Sequence, residues 1–211
     1  MSKYLNNFNN IKKNIYHFNP NTNLIVVTKS KSPSEFEDII KLNHSHFGEN
    51  RVQEAKKKWQ SIKHQFLNLQ LHMIGRLQTN KVKEALEVFD YVHSLDSIKL
   101  AGILKAEETR TKKKIKYFIQ VNVGDEIQKS GIHESKLSDL LNYCKQPPTL
   151  DIVGLMCIPP NNLDSQIFFT KLKSLSISNN LKELSMGMSN DYECAIKSGA
   201  TFVRVGSAIF K

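Results

Sequence analysis

Leu24-Ile25-Val26-Val27-Thr28-Lys29-Ser30-Lys31-Ser32 joins a run of branched apolar residues to a polar turn that carries two lysines. Near the far end of the chain, Thr201-Phe202-Val203-Arg204-Val205-Gly206-Ser207 repeats the arrangement, an apolar run closing on a glycine and a hydroxyl. Short runs of β-branched and aromatic residues fit a pleated, buried strand. If both runs are strands of one closed sheet, the Lys29 amine and the Gly206-Ser207 turn open on the same rim.

Working outward from these two runs, further β-rich stretches occur around His46–Phe47 and at Leu69–Ile74, Tyr91–Leu95, Ile115–Val123, Leu150–Ile158 and Leu184–Met188, which makes eight in all. Helical patterns lie between them. Val52, Ala55, Trp59, Ile62 and Phe66 recur at spacings of three and four, one apolar stripe on the helix after strand two. Leu137, Leu140, Leu141 and Cys144 repeat the pattern after strand five, and Leu163, Ile167, Leu172 and Leu175 do so less regularly after strand six. Pro33 beside Ser32 and Ser34 marks a helix start, and Asn190-Asp191 can cap a helix over 192–197. An open doubly wound sheet would place G-x-G-x-x-G after its first strand, and nothing of that form occurs. The alternation therefore predicts a single-domain α/β fold over 1–211, a (β/α)8 TIM barrel, with 1–23 as an N-terminal helical segment. In such barrels chemistry sits at the C-terminal ends of the strands, and phosphate is held by the loops after strands seven and eight, where Ser185–Ser189 and Gly206–Ser207 fall.

Composition narrows the function. With 211 residues and 40% hydrophobic content, the chain can bury a full core in one domain. Cys144, Cys157 and Cys194 are odd in number, widely spaced and in no C-x-x-C arrangement, so neither a disulfide framework nor a structural zinc site is indicated, and no metal is expected. The 1–23 segment lacks a continuous apolar stretch, and no part of the chain approaches the ~18 apolar residues of a membrane span. The cytosol is the expected compartment. The formal charge of +10 invites a nucleic-acid reading. Yet only four of the thirty basic residues are arginine, the runs Lys56–Lys58 and Lys112–Lys114 read as solvated faces, and no zinc-finger or aromatic RNA-binding signature accompanies them.

An amine beside a phosphate cradle is what a pyridoxal 5'-phosphate site needs: the aldehyde condenses with the lysine while backbone N–H groups hold the phosphate. A lysine at a strand end is often just a charge reaching water, and Lys31 competes with Lys29. Lys29 is favoured because it follows the apolar run closely and because a cationic neighbour, Lys31 or Arg204, would favour its neutral, nucleophilic form. Ser185-Met186-Gly187-Met188-Ser189-Asn190-Asp191 supplies hydroxyls and a glycine ahead of a helix N-terminus, and pairs with Gly206-Ser207 on the next strand. Arg204, two residues before Gly206, shares its side of the strand and can point a permanent cation at the cofactor's ring nitrogen, or form a salt bridge at the barrel mouth. Asn50, His72 and Asn122 are polar residues in apolar settings that can line the rim. The 124–131 segment reads as a polar loop.

Through most of its length the chain resembles the pyridoxal phosphate homeostasis family, the YggS/PROSC type. The likeness rests on Val26-Val27-Thr28-Lys29, on His46-Phe47-Gly48-Glu49-Asn50-Arg51-Val52-Gln53-Glu54 and on His72-Met73-Ile74-Gly75-Arg76-Leu77-Gln78-Thr79-Asn80-Lys81. It continues through Gln120-Val121-Asn122, Lys129-Ser130-Gly131, Gly154-Leu155-Met156, the 184–191 segment and Val203-Arg204-Val205-Gly206-Ser207-Ala208-Ile209-Phe210. Arg76 stands where that family commonly has proline.

The resemblance implies a fold-type III barrel related to the alanine racemase N-terminal domain, with Lys29 carrying the cofactor as an internal aldimine and Arg204 facing the pyridine nitrogen. It places the phosphate on Ser185, Ser189, Gly206 and Ser207, with Asn50 and His72 completing the cofactor-binding set. It also implies a role in intracellular vitamin B6 homeostasis without an established reaction: a monomer that takes pyridoxal phosphate and passes it to cofactor-free enzymes. The alternative is a weak amino-acid racemase or another pyridoxal phosphate enzyme. Two arguments disfavour it: arginine at the ring nitrogen weakens the electron sink, and 211 residues leave no room for the domain that completes a two-base racemase site.

Overall fold

The computed structural model describes residues 3–126 and 128–211. Met1 and Ser2 of the N-terminal segment and Ile127 of the 124–131 loop lie outside the described residues. Eight strands close into a parallel barrel in chain order: β1 (Asn23–Val27), β2 (His46–Glu49), β3 (Gln70–Met73), β4 (Tyr91–Leu95), β5 (Lys116–Gln120), β6 (Asp151–Met156), β7 (Glu183–Met188) and β8 (Phe202–Val205). Closure is made by β8 against β1, with Leu24 opposite Val203 and Ile25 opposite Arg204. Among the described residues no strand is left as an edge, so every ladder is paired. All eight strands expected from the sequence are present, several of them shorter at their ends.

The helices among the described residues are α1 (Lys3–Phe18), α2 (Pro33–Lys41), α3 (Val52–Gln65), α4 (Val82–Val88), α5 (Ile98–Thr111), α6 (Leu137–Lys145), α7 (Ser165–Ser178), α8 (Tyr192–Lys197) and α9 (Ser207–Phe210). None is long and apolar enough to cross a membrane. Alternation along the strands divides the core in two. Ile25, Tyr91, Phe118, Met156 and Phe202 fill the barrel interior, while Leu24, Val26, Phe47 and Leu71 face the helices, where they join Phe36, Trp59 and Phe169. Trp59 anchors that outer layer, stacked on Phe36 at 5.0 Å between ring centres. Burying such aromatics contributes on the order of 2–3 kcal/mol each.

Two sequence expectations change. Leu163 and Ile167 do not belong to the buried stripe after strand six: they are 61% and 64% exposed. Leu163 precedes the helix, and the inward face of α7 runs through Phe169, Leu172 and Ser176, a face that position 167 misses by about half a turn. One lysine of the two runs is also less solvated than composition suggests, while Lys114 in the second run stays 58% exposed. Lys58 keeps only 9% of its side chain exposed and donates to Glu49, while Lys114 pairs with the buried Glu108.

Candidate functional site

At the C-terminal ends of the strands lies a cavity of about 540 Å³. Lys29, Asn50, Ser189, Arg204, Gly206 and Ser207 line it; His72 and Ser185 do not. The structure thus brings six of the eight residues singled out in the sequence to one space.

Lys29 is exposed on a backbone clamped from both sides. Before it, the Thr28 N–H donates to the Gly48 carbonyl at 3.0 Å, the Thr28 hydroxyl donates to Glu49 at 2.7 Å, and Lys58 Nζ donates to the Thr28 carbonyl at 2.7 Å. After it, Ser30 turns left-handed at φ 58° and its N–H donates to Glu54 at 2.7 Å. A fixed backbone gives the amine a restricted reach into the cavity. Lys31, its competitor, is drawn the other way: its Nζ pairs with Glu35 at 2.9 Å and sits over the Phe210 ring at 5.3 Å. The α2 start is as expected, with Ser32 at the N-cap and Pro33 at the first helical position.

The serine- and glycine-bearing side of the cavity is shaped by an irregularity in β7. Its pairing with β8 shifts between Ser185 and Met188, and Gly187 takes φ +89°, where a Cβ would also stand 2.5 Å from that of Ala195. Glycine is required there on both counts. The turn delivers Ser189, whose Oγ accepts from the Gly206 N–H at 3.4 Å and the Ala208 N–H at 3.3 Å. Those long contacts leave the two N–H groups available to a better acceptor. Asp191 stands at the N-cap position of α8, but its Oδ1 accepts from the Met188 N–H at 2.6 Å and so folds back on the turn.

Arg204 enters from β8 with 4% exposure. Its Nη1 donates to Ser185 Oγ at 2.7 Å and its Nη2 to the Cys157 carbonyl at 2.9 Å, so its bonds go to neutral acceptors rather than to the carboxylate of a salt bridge. Burial lowers its pKa from the usual value, against the pull of Cys157 and Asp191. Burial also pushes the Cys157 thiol up to about 12, which keeps it neutral beside the guanidinium.

Ser185 and His72 are fully buried in the barrel interior, one layer beneath the cavity. Ser185 meets Arg204, not the cavity, because the strand irregularity turns only the residues after it toward the rim. His72 is stacked on Tyr91 at 4.3 Å between ring centres. Asn122 turns into its own loop, where its amide donates to the Glu126 carbonyl at 2.9 Å. Sequence reasoning missed the far wall, formed by Ile158, Pro159, Pro160 and Asn161 after β6. The paired prolines and asparagines there are a turn signal that could have marked it. Among the described residues no His, Cys, Asp and Glu group is arranged to hold a metal ion.

Comparison with known proteins finds relatives along most of the chain. The family model described as the alanine racemase N-terminal domain matches residues 2–211. The chain is 38% identical over 196 residues to the pyridoxal phosphate homeostasis protein of Aquifex aeolicus, a match spanning 89% of this chain and 85% of that protein. The protein of the same name from Haemophilus influenzae is 37% identical over 203 residues, spanning 91% and 86%. Among solved structures, PipY of Synechococcus elongatus PCC7942 with PLP bound aligns with a TM-score of 0.84 at 32% identity, covering 95% of this chain and 100% of that one.

Proposed function

Because the chain belongs to the alanine racemase N-terminal domain family, among the pyridoxal phosphate homeostasis proteins, we propose that it is a single-domain barrel that holds pyridoxal 5'-phosphate on Lys29 and passes it on. The observation that carries this reading is the convergence, in one cavity, of an exposed amine on a clamped backbone with a cluster of donors suited to a phosphate. When bound, the cofactor supplies an aldehyde that condenses with a primary amine and a ring that withdraws electrons.

The chain's own residues divide the work. Lys29 presents the nucleophilic amine. The hydroxyls of Ser189 and Ser207 and the N–H groups of Gly206 and Ala208 offer donors to a phosphate, whose charge suits such a nest. Arg204 directs a permanent cation toward the ring nitrogen, and a guanidinium there leaves that nitrogen without a proton of its own. Asn50 offers an amide from the neighbouring loop. Electron withdrawal is weakened by this arrangement, which disfavours carbanion chemistry. Among the described residues lining the cavity, Lys29 carries the one primary amine and Asp191 the one carboxylate, and Asp191 is committed to the Met188 N–H. A racemase needs acid and base groups on opposite faces of its substrate; Lys29 supplies one face. The proposed protein is a cytoplasmic monomer whose partners are enzymes lacking their cofactor.

The deciding experiment mixes cofactor-loaded protein with a cofactor-free acceptor enzyme, alongside a chiral assay of alanine and other L-amino acids. Reactivation of the acceptor without racemisation is the expected result. Racemisation near the enzyme median of ~10 per second, abolished by Lys29→Ala, would overturn the carrier reading in favour of a racemase.

Arg204→Ala and Ser207→Ala separate the two ends of the ligand. Arg204→Ala is expected to shift the visible spectrum of the bound cofactor, since ring protonation changes. Ser207→Ala should weaken retention by about 1–2 kcal/mol with little spectral change, because the backbone N–H survives. Wild-type spectra and retention in both variants would remove these residues from the site.

A further inference from the structure

Beneath the cavity floor a line of side chains crosses the barrel interior. His46 Nδ1 lies 2.9 Å from His72 Nε2, His72 Nδ1 lies 2.8 Å from His93 Nε2, and His93 Nδ1 lies 2.8 Å from Ser185 Oγ, the atom that accepts from Arg204. Stacking fixes the rings: His72 lies on Tyr91 and His93 on Phe118, each at 4.3 Å, and Phe202 closes against both. His72 and His93 are fully buried, and His46 is the half-buried outer end.

The guanidinium gives this line a direction. Arginine only donates, so Ser185 Oγ accepts on that side, and among the described residues His93 Nδ1 is the acceptor left within reach of its own buried proton, which would otherwise go unpaired. His93 then carries its proton on Nε2 and donates to His72 Nδ1, and His72 likewise donates from Nε2 to His46 Nδ1. Every donor along the line from Arg204 to His72 meets an acceptor while every ring stays neutral, and the Nε2–H of His46 is left at the half-buried outer end. Turning one ring to the other tautomer sets two N–H groups, or two lone pairs, against each other.

We propose that His93, His72 and His46 are positioning residues for Arg204: a neutral, one-way hydrogen-bonded chain with Nε2–H throughout, which holds Ser185 against the guanidinium and so fixes the cation presented to the cavity. The link to cofactor binding rests on the reading of Arg204 given above; the tautomer assignment does not.

The surroundings favour neutral rings from every side. Burial is the largest cause holding all three below the ordinary histidine pKa. Further depression comes at His93 from Arg204 and His46, at His72 from His93, His46, His44 and Lys63, and at His46 from Lys116. The neighbouring His44 is itself lowered to about 4, chiefly by burial. Because the folded pKa values are depressed, the unfolded chain binds more protons in acid. Stability is therefore full above the unfolded histidine value of about 6.5 and falls as the pH drops below it.

The test is histidine-selective nitrogen-15 NMR on the cofactor-free protein. His72 and His93 are expected as neutral Nε2–H rings that stay neutral below pH ~6.5, where exposed histidines charge. Ser185→Ala removes the proton that orients His93 and should give mixed tautomers. Nδ1–H rings, charged rings at neutral pH, or unmixed tautomers in Ser185→Ala overturn the assignment. In the loaded protein, His93→Phe keeps the stacked shape but loses the acceptor and should retain cofactor about tenfold less well, with a pH-dependent spectrum, as for a lost hydrogen bond to a group held by a charge. His93→Asn, which returns an acceptor near the Nδ1 position, should recover most of this. Equal retention by the Phe and Asn variants would overturn the positioning role; loss of Lys29 labelling in wild type would instead strike the cofactor reading.

Discussion

Lys29→Ala is expected to abolish covalent retention of pyridoxal phosphate and its visible absorbance while leaving the fold intact. Lys29 is exposed and lies in the turn after β1 with no packing contact in the core, so the substitution should cost at most about 0.5 kcal/mol of stability. The phosphate donors remain, and the cofactor should still bind reversibly and exchange freely on gel filtration. Borohydride treatment followed by peptide mass mapping gives the direct reading: in wild type the reduced adduct should fall on Lys29. Lys31→Ala serves as the control, because its ammonium is engaged by Glu35 and the Phe210 ring away from the cavity, and it should load normally. An adduct on Lys31, or on any other lysine, in the wild-type protein would move the attachment point.

The choice between these two lysines shows how far the sequence reaches. The run Leu24–Val27 and its polar turn identify a strand end, and closeness to the run favours Lys29, but what turns Lys31 away is its ion pair with Glu35 of α2 and an aromatic ring contributed by the last helix. The eight strands were legible because each is a short β-rich run in a regular alternation with helical stripes. Depth inside the barrel was not legible. Period two tells whether Ser185 or His72 points inward, but the stagger of a closed sheet decides which layer an inward residue occupies. Ser185 therefore read as a rim hydroxyl and lies a layer below it. Nothing local in the sequence marks His93 or Cys157 as a partner of this layer either, since each sits within an apolar run. Lys58 was hidden differently: in Lys56-Lys57-Lys58 nothing local distinguishes the one lysine that α3 lays across the end of β1.

That lysine leads to the second large effect, because Glu49 and Lys58 form a buried pair directly behind the backbone that carries Lys29. Glu49 is fully buried, Lys58 Nζ lies 2.9 Å from its Oε1, and the same oxygen accepts from the Thr28 hydroxyl at 2.7 Å and Trp59 Nε1 at 2.9 Å. Its second oxygen is buried without a hydrogen-bond partner among the described residues. Glu49→Ala removes the acceptor for all three donors and leaves the Lys58 ammonium with only the longer contact to Glu54 at 3.3 Å and the Thr28 carbonyl at 2.7 Å, which puts the expected cost at the lower end of the range for a broken buried pair. Breaking a buried pair from one side costs about 3–5 kcal/mol, a large part of the 5–15 kcal/mol that typically holds a domain together. Urea titration should show a correspondingly lower midpoint. Removing both partners in Glu49→Leu with Lys58→Met should restore most of the loss, since two apolar chains of similar length leave no charge unpaired. Cofactor retention should not recover to the same extent, because Lys58 also holds the Thr28 carbonyl, one residue before Lys29. A loss below about 1 kcal/mol for Glu49→Ala, the size expected of an exposed ion pair, would show that the pair neither anchors the barrel here nor clamps the lysine in front of it.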